Sequence, residues 1–162
     1  GERAVDDPAA VADRIAVAAI KYSILKQSPG RDIIFDPSQA LSFEGDSGPY
    51  LQYTLVRARS VLTKTTTAAA EVKRPADELP SRLERLLHVF PETVNEAVTN
   101  LAPHHLLGYL TDVAGAFNAY YAERPILAAG ASASYRLQLT AVTAHILTAG
   151  PTWLGLPTVD RM

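Results

Sequence analysis

The chain contains no cysteine. Disulfide scaffolds, thiolate zinc centres and cysteine nucleophiles are therefore excluded together. It also lacks an excess of charge of either sign: 15 Lys and Arg stand against 17 Asp and Glu, a formal net charge of −2. That balance argues against a protein that holds nucleic acid by bulk positive charge. With 20% charged and 48% hydrophobic residues the chain is not disordered. No apolar run approaches the ~20 residues that cross a bilayer, and no charged-then-apolar leader starts the sequence. The expectation is a soluble, cytoplasmic protein with no membrane partner. Phosphate loops of the GxGxxG or GxxxxGKS/T kind are absent. Methionine occurs once, as the last residue Met162, while the first residues are Gly1-Glu2-Arg3. A start without an initiator Met leads us to expect a piece processed or cut from something longer.

What is present is helical punctuation. Its 162 residues suit one globular domain with a real core. Asp7-Pro8 reads as an N-cap followed by proline at the first helical position. Val11, Ile15, Ala18, Tyr22 and Leu25 then mark one face of a helix that Ser28-Pro29-Gly30 stops. Ile33-Ile34-Phe35 is either a strand or an extended, buried connection. Residues 36–49 are rich in Asp, Ser, Gly and Pro and read as a structured loop. A second helix is expected from Ser47-Gly48-Pro49 to about Lys64, with Leu51, Leu55, Ala58 and Leu62 inward. Thr65 to Pro80 is linker-like, with a weakly helical Ala68-Ala69-Ala70 tract. Proline-punctuated helices follow at about 81–90, 92–101 and 104–124. After a break at 130–134, a last helix over about 135–149 should bury Leu139, Val142 and Ile146. The pattern is that of a mostly α bundle.

Chemistry-bearing motifs are scarce. Gly45-Asp46-Ser47-Gly48-Pro49 looks like the nucleophile segment of chymotrypsin-like proteases, short by one Gly. A serine nucleophile needs a histidine base oriented by an acid. In that family both precede the serine, whereas the first histidine here is His88, and no two-barrel β pattern exists. Ser47 therefore reads as a helix cap. His88, His104, His105 and His145 never pair at the i, i+4 spacing of a helical metal site, and the adjacent His104 and His105 should face different sides. Neither a general acid–base pair nor a metal site can be nominated.

One helix face is informative. At ~100° per residue, Leu55, Ala58 and Leu62 all fall within about 40° of Leu51, and Tyr53, Arg57, Ser60 and Lys64 share the opposite face. A ring, a guanidinium, a hydroxyl and an ammonium in one stripe suit a nucleic-acid strand, with the ring under a splayed base and the others at phosphates. Residues 57–85 carry seven Lys or Arg against four Asp or Glu. The same stripe equally fits an ordinary solvated helix face. Tyr120 falls on the apolar stripe of its helix, and Tyr121 falls ~100° further round, towards Asn118 and solvent. Trp153 fills a core corner or joins an aromatic platform, the core being favoured by the burial habits of Trp.

Residues 41–53, Leu-Ser-Phe-Glu-Gly-Asp-Ser-Gly-Pro-Tyr-Leu-Gln-Tyr, continuing through Arg57, resemble a signature of arginyl-tRNA synthetases. Phe90-Pro91-Glu92, Ala116-Phe117-Asn118-Ala119-Tyr120-Tyr121 and the ending Leu154-Gly155-Leu156-Pro157 to Asp160-Arg161-Met162 resemble the same family in the same order. The resemblance implies a C-terminal fragment with the DALR-type anticodon-binding domain, an α-helical bundle at residues 41–162. Residues 1–40 would be a short α/β remnant of the catalytic domain. It implies that Ser42, Phe43, Glu44, Gly45, Asp46 and Ser47 form an omega-shaped loop near the anticodon side of tRNA. Tyr53 would stack on an anticodon-loop base, and Tyr121 and Met162 would help hold the loop and its middle cytosine. Gln52, Arg57, Lys64 and Asn118 complete the expected tRNA-binding set, while Arg124-Pro125-Ile126 departs from the familiar pattern. The implied partners are the anticodon loop of arginine tRNA and a catalytic domain of the same chain, in a monomer. ATP and magnesium would belong to the longer enzyme. This stretch, lacking the HIGH and KMSKS motifs, would hold no cofactor and be inactive alone. The reading from a different class is a helical protein–protein module without RNA binding.

Overall fold

The computed structural model describes residues 7–64, 72, 74–76 and 78–162. Among these the architecture is entirely helical. Helix α1 spans Pro8–Leu25, α2 Pro37–Ala40, α3 Gly48–Leu62, α4 Arg82–His88, α5 Phe90–Thr99, α6 Pro103–Glu123 and α7 Ala133–Trp153, the last entered through a 3-10 turn at Gly130–Ser132. The punctuation read from sequence has direct local causes. Asp7 accepts a hydrogen bond from Ala10 N at 3.0 Å and caps α1, with Pro8 in its first turn. Ser47 accepts from Tyr50 N at 3.1 Å and caps α3 ahead of Pro49. Ser81 and Glu84 form a reciprocal capping box on α4, so that the two end N–H groups find acceptors.

The long helices α3, α6 and α7 surround the core, in which Leu55, Leu107, Leu110, Val113, Phe117 and Leu147 are fully buried. Each such side chain contributes about 1.5–3 kcal/mol relative to remaining exposed. Two glycines set the closest crossings. A Cβ at Gly48 would lie 2.5 Å from the Ala18 carbonyl oxygen, so α3 starts directly against the backbone of α1. A Cβ at Gly150 would lie 2.6 Å from Leu110 Cδ2, which fixes α7 against α6. α1 is thus packed into the bundle through Ala18, Ala19, Tyr22 and Ser23.

Several expectations are corrected. Ile33-Ile34-Phe35 forms neither a strand nor a buried connection: it has no ladder partner among the described residues, and Ile34 is 90% exposed. The β part of the anticipated α/β remnant is therefore not seen. The residue order allowed a strand, but nothing described here pairs with its backbone. Val142 points outward, because the inner face of α7 is taken by Leu139, Thr143, Ile146 and Leu147. Trp153 is 59% exposed, not a core corner. It stacks on Phe90 at 5.8 Å between centroids, and Phe90 stacks in turn on Tyr109 at 5.9 Å. His104 and His105 come together rather than apart: their rings meet edge-to-face at 4.4 Å in the first turn of α6. The Ala68-Ala69-Ala70 tract lies outside the described residues. No described helix is long and apolar enough to cross a membrane.

Candidate nucleic-acid interface

The loop entering α3 is built from its own polar groups. The Ser47 hydroxyl donates to the Ser42 carbonyl, and the Ser42 Oγ accepts from Glu44 N at 3.0 Å. Gly45 sits at φ +76°, a left-handed turn that side chains other than glycine enter only with strain. Asp46 turns back towards α1, accepting from Tyr22 OH and pairing with Lys26 Nζ at 3.4 Å. Burial and then the Asp46 carboxylate push the Tyr22 hydroxyl well above its usual pKa. These bonds leave Phe43 half in solvent, with its ring edge-on to Tyr53 at 6.4 Å.

Behind Phe43 the outer face of α3 meets α6. The guanidinium carbon of Arg57 lies 4.7 Å from the Tyr53 ring centroid and 5.3 Å from that of Tyr121. Arg57 Nη1 donates to Asn118 Oδ1 at 2.9 Å, and Nη2 donates to Tyr53 OH. Asn118 Nδ2 donates to Tyr50 OH at 3.1 Å and to Thr54 Oγ1 at 2.9 Å. The guanidinium is thus oriented by an amide and a hydroxyl, neither of which cancels its charge. Phe43, Tyr53, Arg57 and Tyr121 form a row of flat groups on one rim of the bundle. Planar faces flanking a fixed cation are what unstacked bases and their phosphates bind.

The other expected site residues lie elsewhere. Ser47 is buried, acting as cap and loop tie. Gln52 is only 3% exposed, and its amide donates to the Pro157 carbonyl at 2.7 Å. Ser60 and Lys64 are exposed beyond the aromatic row, Lys64 about 16 Å along the helix axis from Tyr53. Met162 is partly exposed at the end of a tail anchored by the Arg59–Asp160 ion pair at 2.6 Å. Sequence reasoning missed Tyr50 and Thr54, the polar floor under Asn118, because their roles depend on how α3 meets α6. The only advance signal was the i, i+4 spacing of Tyr50, Thr54 and Arg57's turn on one helix. It also missed Glu78, nine-tenths buried, which accepts from Arg136 and lies 3.4 Å from Arg124. Among the described residues, no three His, Asp or Glu side chains converge as metal ligands would.

The fold and its rim define an all-α helical-bundle domain with exposed rings and an oriented arginine. Comparison with known proteins makes the assignment particular: the DALR anticodon binding domain model matches residues 51–162, and the chain belongs to that family. It is 37% identical to the arginine–tRNA ligase of Erwinia tasmaniensis over 162 aligned residues, which are 97% of this chain and 28% of that protein. Among solved structures it resembles Thermus thermophilus arginyl-tRNA synthetase, with a TM-score of 0.85 and 36% identity over 99% of this chain and 29% of that one. It also resembles the Plasmodium falciparum enzyme, with a TM-score of 0.82 and 25% identity over 94% of this chain and 28% of that one. The chain spans a little over a quarter of the length of these relatives.

Proposed function

We propose that this chain recognises the anticodon arm of an arginine tRNA, as the anticodon-reading part of an arginine–tRNA ligase. The observation that carries the reading is the Arg57 guanidinium held between Tyr53 and Tyr121, with Phe43 extending the row. In this reading Tyr53 and Tyr121 stack on loop bases and Arg57 meets the backbone. The terminal groups of Met162 read a base edge, and Lys64 and the exposed loop residues Ser42, Glu44 and Gly45 border the RNA. Asp46, Ser47 and Asn118, whose polar groups are engaged within the protein, and Gln52, whose amide nitrogen is, support the reading from behind.

Activation of arginine with ATP and magnesium, and its transfer to tRNA, belong in this reading to a catalytic body of a longer cytoplasmic, monomeric ligase. The exposed Val17, Ile20 and Ile24 on the outer face of α1, with Ile33, Ile34 and Phe35, are the apolar surface suited to meet that body. The division at about residue 40 expected from sequence then separates what faces that body from what faces RNA, although α1 packs closely on α3.

Fluorescence anisotropy with an arginine-tRNA anticodon stem-loop tests the proposal. Affinity should fall steeply with added salt. It should also fall about five- to hundredfold in Tyr53→Ala, the range for losing one base–ring stack, and fall further when Met162 is removed. Equal affinity for a stem-loop with an unrelated anticodon, or no loss on either change, would refute it.

A further inference from the structure

Both segments expected to touch RNA, the 42–47 loop and the C-terminal tail, are fastened to the same helix. Near its C-terminal end, α1 holds the loop: Tyr22 OH donates to Asp46 Oδ1 and shares a 2.7 Å bond with Thr111 Oγ1 of α6, while Lys26 Nζ pairs with Asp46 Oδ2 at 3.4 Å. Further along, α1 holds the tail. Lys21 Nζ donates to the Gly155 carbonyl at 2.6 Å, and Arg14 Nη1 donates to the Thr158 carbonyl at 3.3 Å. The tail runs back along α1 in this register, past Gln52, which bridges the Arg14 carbonyl at 3.4 Å and the Pro157 carbonyl at 2.7 Å. Beyond it Val159 is buried. None of these α1 side chains lies in the Phe43–Tyr53–Arg57–Tyr121 row.

We propose that α1 is the positioning element of the reading surface: Tyr22 and Lys26 set the loop that carries Phe43, and Lys21 and Arg14 set the tail that carries Met162. Resting on the RNA-binding reading above, the inference deepens it by naming residues that act on RNA only through others. The physical need is clear. The loop turns at a left-handed glycine, Gly45, and the tail has no regular secondary structure after Leu154. Apart from α1, the Ser47–Ser42 bond ties the loop and Gln52 and Arg59 of α3 tie the tail, and neither segment has a ladder of its own to fix its direction. Recognition by such segments loses affinity to ordering entropy unless something orders them beforehand. A buried phenol bonded to a carboxylate, and an ammonium and a guanidinium on tail carbonyls, are directional ties of that kind.

The test crosses each tie with the contact it serves, in the 162-residue chain and with the arginine stem-loop as probe. Tyr22→Phe keeps the buried ring and removes only the hydroxyl. It should weaken binding about three- to tenfold, a fraction of what a hydrogen bond to a charged group is worth, because the tie acts on RNA only through the ordering of the loop. That penalty should shrink in a Phe43→Ala background and persist in full when Met162 is deleted. Lys21→Met should behave in the opposite way, its penalty vanishing without Met162 and persisting in Phe43→Ala. Asp46→Asn retains an acceptor for Tyr22 and should restore most of what Asp46→Ala loses. A loss of general structural integrity would give the same penalty in every background, and that outcome overturns the proposal. So does full affinity in both Tyr22→Phe and Lys21→Met.

A second measurement reads the loop tie without RNA. The chain has no cysteine, so Glu44→Cys accepts a single nitroxide at the loop tip. Its spectrum should sharpen towards a mobile label on adding Tyr22→Phe. An unchanged spectrum overturns the loop tie even if RNA binds. A parent chain that fails to bind the stem-loop while the label does respond would instead overturn the RNA-binding reading and leave α1 as a loop anchor only.

Discussion

Tyr120 and Tyr121 are neighbours in sequence at the end of α6, and each lies under an arginine. Tyr121 is exposed, and the guanidinium above it, Arg57, is oriented by Asn118 and Tyr53. Tyr120 is buried, and the guanidinium above it, Arg124 at 5.3 Å, lies 3.4 Å from the Glu78 carboxylate, which also binds Arg136. The same pair of residue types therefore appears twice, about 100° apart on one helix. The partner of the arginine distinguishes them. An amide and a phenol fix a guanidinium in place and leave its charge for an incoming phosphate. A buried carboxylate takes that charge for the fold, here tying the segment before α4 to α7. Aromatic–arginine proximity alone says nothing about function; the charge balance around it does.

Exchanging the two tyrosines for alanine gives the sharpest separation. Tyr120→Ala removes a buried core ring and should cost about 3–5 kcal/mol of stability. It should leave the affinity of the folded fraction for RNA unchanged. Tyr121→Ala should change stability by less than about 1 kcal/mol and weaken stem-loop binding about five- to hundredfold. Urea unfolding and anisotropy on the two variants give a crossed pattern if the comparison is right. Parallel losses in both assays would break it.

The Glu78 site supplies the next test. Glu78→Ala leaves Arg136 without its main partner, and because that guanidinium keeps some exposure the cost should be about 2–3 kcal/mol, below the full penalty of orphaning a buried charge. Burial alone would raise the Glu78 pKa, yet the hydrogen bonds and charges of Arg136 and Arg124 hold it below the ordinary carboxylate value. A depressed folded-state pKa means stability present in full above the unfolded value and lost as pH falls through the folded one. Acid titration of unfolding should therefore show a destabilising limb below about pH 4 that is shallower in Glu78→Gln. The Tyr53–Arg57–Tyr121 row, having no carboxylate, should contribute nothing to that limb, and Arg57→Gln should leave it in place.

Which parts of this were legible beforehand follows from the range of the interactions. Asp7-Pro8, Ser47-Gly48-Pro49 and the Leu51–Leu55–Ala58 stripe act within one turn or one helix, and sequence spacing reads them directly. The outward placement of Tyr53 and Tyr121 follows from the same angular reasoning. Glu78 meets Arg136 across 58 residues, a distance no periodicity encodes, so it passed as part of a linker. Gln52 shows a subtler failure. Its position beside Leu51 put it near the signature's other polar residues, but the tail folds over it and closes the face that the wheel alone would leave partly open. The burial habits of Trp favour a core corner over an aromatic platform for Trp153. It lies on the surface because the packing partner it found, Phe90, is itself at the rim, and stacking satisfied it there.

The smallest predicted effect tests the comparison at its root, because it separates the plane of Arg57 from its charge. Arg57→Lys keeps the charge but loses the flat surface between two rings and the paired donors to Asn118 and Tyr53. Stem-loop affinity should fall only about two- to fivefold, with the slope of log affinity against log salt unchanged, since the phosphate contact survives. Arg57→Gln keeps a planar donor and loses the charge, so the same slope should become shallower by about one unit or slightly less. Arg124→Lys, the equivalent change at the other tyrosine, should alter neither affinity nor slope and should register only in unfolding. If Arg57→Lys instead flattens the salt slope as Arg57→Gln does, the guanidinium's orientation is what delivers its charge to the backbone. Asn118 would then matter to RNA as much as the arginine it holds. If both Arg57 variants leave affinity and slope untouched, Arg57 meets no RNA, and the two arginines differ in exposure alone.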